Sequence, residues 1–240
     1  MEPTEFLEKI YAESMELVGS DDKIKSDLDK AIVNHLLEIL GRSESAKAVI
    51  TVILTSAVYK NLNPAQDIRN HQTSIPNGYS GRTFDSKFIT PFLKGIKFPA
   101  MAESGWLTRS LEQKVPYDSN YSGAIRPDSL KTAFLETIDF IQKGKDIDKL
   151  LSFLFQGLII QRNAQQIDLA KPLNLPIATI IDLLSKHFDT KYSAEGASRL
   201  PVLALYAAYQ CLINETKRFG PSIYNNLKTD IPYQNDNAFV

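Results

Sequence analysis

Apolar residues recur at helical spacing towards both ends of the chain and lose that spacing in between. Over residues 5–18, Phe6, Ile10, Leu17 and Val18 fall near one helical face, and Gly19 is placed to end the helix. Asp21 or Asp22 is a suitable N-cap for a second helix. Its Ile24, Leu28, Ile32, Leu36 and Ile39 face inward, and Gly41 closes it. Ser43 precedes a third helix over residues 46–59. There the run Val49-Ile-Thr-Val-Ile-Leu-Thr is apolar nearly all round, the pattern of a centrally buried helix. Its dense β-branched residues leave a buried strand as the alternative. The charge-rich helices before it favour the helix.

Helical spacing returns at Pro127-Asp128-Ser129, a helix start leading into Leu130, Phe134, Ile138 and Ile141. Gly144 breaks the chain before an apolar helix over 146–160. Pro172 and Pro176 punctuate the link to helices over 176–188 and 197–218, and Gly220-Pro221 stops the last of them. The fold expected is mainly α, a helical bundle interrupted by a long irregular insert over about 62–127 with room for a few short strands. Helices fill 1–61 and 128–221, and 222–240 is a polar tail of weak periodicity. No internal repeat or heptad pattern is present.

The insert is too rich in aromatic residues for a disordered linker; it holds the only tryptophan, Trp106. Charge separates it from its flanks. Residues 1–59 carry 6 lysines and arginines against 11 acids, residues 60–126 carry 9 against 5, and residues 127–240 carry 12 against 12. A formal net charge of −1 thus conceals an acidic start and a basic middle, which fits either an anionic partner or an ordinarily solvated loop region. The single cysteine, Cys211, excludes an intramolecular disulfide and a cysteine metal cage. It lies in the apolar run 202–213, where inert packing is expected. The opening Met1-Glu-Pro-Thr-Glu has no signal-peptide pattern, and the apolar run 201–213 is shorter than the roughly 20 residues that span a bilayer. A cytoplasmic protein with no membrane partner is expected.

No phosphate-binding glycine loop, nucleophile elbow or zincin motif occurs. Of the three histidines, His35 and His187 read as structural, and His71 as either a surface contact or a local loop hydrogen bond. The middle stretch offers Arg69, Asn70, Gln72, Arg82, Lys87, Lys94, Arg109 and Gln113, the side-chain types that bond phosphates and base edges. Gly78, Gly81 and Gly105 allow close backbone approach. Tyr79, Phe84, Phe92 and Trp106 serve either as loop anchors or as ordinary core. A helix-turn-helix-like pair over 177–205 is a second DNA-reading candidate. Metal-dependent cleavage calls for clustered carboxylates with a nearby lysine. Five acidic-x-Lys triplets occur, at Asp21–Lys23, Asp85–Lys87, Glu112–Lys114, Asp189–Lys191 and Glu215–Lys217. Such triplets also arise by chance in a chain with 28 acids and 27 bases, so the count identifies nothing. Only the run Arg82-Thr-Phe-Asp-Ser-Lys-Phe-Ile has a strand-like pattern.

Three runs together resemble a family of type II restriction endonucleases of the PD-(D/E)xK kind. They are Arg69-Asn-His-Gln through Thr90-Pro-Phe-Leu-Lys, then Met101-Ala-Glu-Ser-Gly-Trp-Leu-Thr-Arg-Ser-Leu-Glu-Gln, and Gly196-Ala-Ser-Arg-Leu-Pro-Val-Leu-Ala-Leu-Tyr-Ala-Ala-Tyr-Gln. The resemblance covers about 63–220. It implies sequence-specific recognition of double-stranded DNA, Mg²⁺-dependent phosphodiester hydrolysis and a partner DNA methyltransferase. On that basis Arg69, His71, Gln72, Arg82, Lys87, Lys94, Arg109 and Gln113 are expected to contact DNA, with Trp106 as an anchor. In such enzymes a catalytic aspartate and then Glu-x-Lys follow the helix matched by 196–218. Asp230 and Asp236 follow it here with no Glu-x-Lys after either, so no catalytic residue or metal ligand is assigned. The chain then reads as a recognition portion completed by a further catalytic segment, a second subunit or a homodimer. The alternatives are a complete nuclease with an unusual metal site at Asp85, a DNA-binding subunit without nuclease activity, and a helical protein-interaction module.

Overall fold

The helical pattern becomes helix at both ends of the described chain. The computed structural model describes residues 2–19, 22–164 and 176–189, together with residue 207. Helix α1 runs Pro3–Val18, with proline in its first turn and Glu5 accepting from the Glu2 backbone N–H at 3.0 Å. Helix α2 runs Lys30–Leu40 and α3 Lys47–Leu62. Later come α6, Asp128–Gln142, α7, Ile147–Ala164, and α8, Ile177–Asp189. Two compact units divide the chain, Met1–Ile167 and Asp168–Val240. Helix α8 belongs to the second; its Ile180, Ile181, Leu183 and Leu184 are exposed. Asp21, Cys211, Asp230, Asp236, the helix expected over 197–218, the end of the helix-turn-helix-like pair and the tail 222–240 lie outside the described residues.

Helix α2 starts later than its sequence pattern predicts. Asp29 is the cap, accepting from the Ala31 N–H at 2.7 Å, while Asp22 adopts a positive φ of 46°. The reason is tertiary. Gln156 of α7 bonds both the N–H and the carbonyl of Lys25, at 2.8 and 3.0 Å. These bonds hold the approach to α2 out of the helix, and Ile24 and Leu28 pack on the core from there.

Helix α3 is the centre of the first unit, and the strand alternative is not adopted. Residues Ala48 to Val58 are all buried, and Thr51 and Thr55 bond back to the carbonyls four residues earlier. Helices α1 and α7 pack together, α2 packs on α6, and α3 touches α1, α6 and α7. Gly157 lets α7 press on Leu40 of α2, where a Cβ would come within 2.4 Å of a leucine methyl.

The middle of the chain is less irregular than its sequence predicts. Residues 81–95 are helical throughout: α4 at Gly81–Phe84, one π turn at Asp85–Ile89, and α5 at Thr90–Gly95. The run from Arg82 to Ile89 is therefore helix rather than strand, and no strand occurs among the described residues. Ser80 starts the helix, accepting from the Thr83 N–H at 3.3 Å. Pro91 accounts for the wide turn. It has no N–H for the ladder and its ring crowds the carbonyl four residues earlier, which the extra residue of a π turn relieves. Among the described residues no helix is long and apolar enough to cross a membrane.

Candidate nucleic-acid interface

The loops of the middle stretch are fastened from beneath by a buried polar network. Asp85, on the π turn, has no exposed surface. One carboxylate oxygen accepts from the Thr90 hydroxyl and N–H, at 2.8 and 3.2 Å. The other accepts from the Ser104 hydroxyl at 2.6 Å and the Gly105 N–H at 2.8 Å. Burial pushes this carboxyl above its ordinary pKa, and the hydrogen bonds from Ser104, Thr90 and Gly105 pull against it. Asp85 thus ties α5 to the Ser104–Trp106 turn. All four strong acceptor directions are used, so it is a structural crosslink and not the metal ligand considered from sequence. Among the described residues no group of three or more histidine, cysteine or carboxylate side chains is placed to hold a metal ion.

Gly105 brings that turn onto α3, where a Cβ would meet the Ala48 carbonyl at 2.8 Å. Trp106 is then buried against Gly81, and a Cβ there would meet the indole ring at 2.6 Å. The indole N–H donates to Nδ1 of His71 at 2.8 Å. Nδ1 is therefore the acceptor nitrogen, and Nε2–H donates to the Val115 carbonyl at 3.2 Å. The imidazole stacks on Tyr117 with centroids 3.7 Å apart. His71 is fully buried, so of its two expected roles the structure supplies the loop hydrogen bond and removes direct contact with DNA.

Burial lowers the His71 pKa to about 4, against the smaller opposing effect of the Val115 and Gln113 carbonyls. The ordinary value is 6.5. Between those values the unfolded chain binds a proton that the folded chain refuses, so stability rises with pH. The contribution is complete above pH 6.5 and is lost on acidification towards pH 4, by up to about 3 kcal/mol. Asp85, with its raised pKa, acts in the opposite direction. Denaturation of wild type and His71→Gln across pH 4–7 separates the two, because only wild type should lose stability through the histidine window. Equal slopes in the two proteins would refute a neutral buried His71.

Above the network lies a hollow of about 280 Å³, floored by His71 and Trp106. Its rim is polar, formed by Gln72, Thr73, Ser74, Ser80, Arg82, Glu112 and Lys114. Gln72 donates to the Gln113 carbonyl at 3.2 Å, and Gln113 to the Arg109 carbonyl at 2.7 Å. Tyr117 and Tyr121 hydroxyls hold the Leu111 and Ser110 carbonyls, both at 2.8 Å. The rim backbone is thus pinned, and its side chains project from fixed positions.

No family model, curated protein or solved structure matches this chain.

The expected contact residues separate into two groups. Gln72 and Arg82 line the hollow, and Gln113 and Arg109 lie on the turn joined to it through the Gln72–Gln113 and Gln113–Arg109 hydrogen bonds. Arg82 meets Glu112 through one nitrogen at 3.4 Å, and Arg109 has no side-chain partner among the described residues. Arg69 faces elsewhere. Its guanidinium is clasped at two corners by Asp67, at 2.9 and 2.8 Å, and it lines a separate hollow with Asp118, Glu136 and Asp139. The hydrogen bond from Arg69 holds the Asp67 carboxyl below its usual range. Lys94 donates to the Ala102 carbonyl, and Lys87 lies 4.8 Å over the Phe88 ring. Neither has a described contact with the hollow. Lys114 was not among the expected residues, although its place beside Gln113 was a usable signal. Of the expected anchors, Tyr79 and Trp106 are buried, and Phe84 and Phe92 pack partly buried against the core.

Proposed function

We propose that the first unit binds duplex DNA through this rim, as the recognition portion of a type II restriction endonuclease. One observation carries the reading. Arg82 and Lys114 leave most of their donors open around a hollow lined also by Gln72, Thr73, Ser74, Ser80 and Glu112, with Arg109, unpaired among the described residues, on the neighbouring turn and the carbonyls of that turn held by hydrogen bonds. Arginine and lysine suit phosphates and guanine, while glutamine suits adenine edges. The resemblance extends the reading to Mg²⁺-dependent hydrolysis alongside a cognate methyltransferase. No described residue is assigned a part in hydrolysis.

The test is fluorescence-anisotropy titration of a labelled random-sequence duplex pool at low and moderate salt. Wild type should bind, with affinity falling as salt rises because phosphate contacts release counterions. Arg82→Ala combined with Arg109→Ala should weaken binding at least about tenfold. Unchanged binding by the double variant would remove the rim from the interface. No retention at low salt would leave a helical protein-interaction module as the better reading.

A further inference from the structure

Three arginines of the middle stretch, Arg69, Arg82 and Arg109, differ in how their charge is already answered. Arg69 is gripped at two corners by Asp67. Arg109 has no side-chain partner among the described residues. Arg82 is intermediate, touching Glu112 by a single 3.4 Å contact, with both side chains about half exposed. Both backbones are fixed. Gly81 sits on the Trp106 ring, and Glu112 follows Leu111, which is buried and held through its carbonyl by Tyr117. Only the two side chains are free to part.

Resting on the DNA reading, we infer that Glu112 is a built-in competitor for Arg82, holding the place that a DNA phosphodiester takes on binding. An exposed carboxylate–guanidinium contact through one nitrogen is weak. A phosphate offers the same guanidinium a charge-assisted, two-pronged contact, which is stronger. Binding therefore exchanges one anionic oxygen for another at Arg82 and turns Glu112 away. Glu112 lowers affinity for any polyanion that lacks enough other contacts to displace it. It acts as a positioning residue that sets how strongly nonspecific DNA is held.

The experiment compares wild type, Glu112→Gln, Arg82→Ala and the double variant against the duplex pool, with Glu103→Gln as a control. Glu103 is an exposed acid of the same stretch with no described partner. Glu112→Gln should tighten binding about twofold to fivefold. The gain should vanish when Arg82 is alanine, and Glu103→Gln should produce less of it. The exposed site leaves folding intact, which circular dichroism checks. A gain that persists without Arg82, or matches the control, reports general charge loss and overturns the inference. Wild-type binding with no gain in Glu112→Gln overturns it while leaving the DNA reading in place. No binding by wild type at low salt removes both.

Discussion

Asp85→Ala is expected to lower the stability of the folded chain by at least about 3 kcal/mol. The substitution removes the common acceptor of Ser104, Gly105 and Thr90 and leaves their buried donors unpaired. The loss falls where α5 and the Trp106 turn are joined, so the hollow should lose its shape as well as its support. Asp85→Asn should do less harm. It retains one oxygen for Thr90, but its amide faces the Gly105 N–H, which has no acceptor capacity. Urea denaturation of the three proteins measures the order. Near-wild-type stability for Asp85→Ala would mean that the carboxylate is not a crosslink and would return it to consideration as a functional group.

Trp106→Ala should be comparably severe, about 3–5 kcal/mol, because it empties a fully buried site between α3 and Gly81. Trp106→Phe separates volume from bonding. It keeps most of the ring but removes the N–H that occupies His71 Nδ1, and should cost about 1–3 kcal/mol for the unpaired acceptor. A phenylalanine variant as stable as wild type would show that packing alone holds the indole. These losses are read by thermal or chemical denaturation, independently of any DNA binding.

What the sequence made legible follows the range of the interactions. Helices α1, α3, α6 and α7 were readable from apolar spacing with proline and glycine punctuation, since each carries its own signal. The start of α2 was not, because Gln156 lies far along the chain from the Lys25 backbone it holds. The helix over 81–95 was hidden by Gly81, Pro91 and Gly95, which look like breakers when read one at a time. A side-chain cap and a widened turn accommodate the first two. The site divides the same way. The abundance of arginine and amide groups was visible, but their allegiance was not. Arg69 is committed to a carboxylate two residues away, whereas Arg82 shares one contact with a residue 30 positions on. The burial of His71 was equally invisible, because its partners Trp106 and Tyr117 reach it only through the fold.

The floor of the hollow has one more consequence. The chain contains a single tryptophan, and that indole lies beneath the polar rim with its N–H against an uncharged imidazole. All indole emission from the molecule therefore originates at one known point, under the surface assigned to DNA. The protein carries its own optical probe, sensitive to what enters the hollow and to the charge of the ring beside it, with no label added.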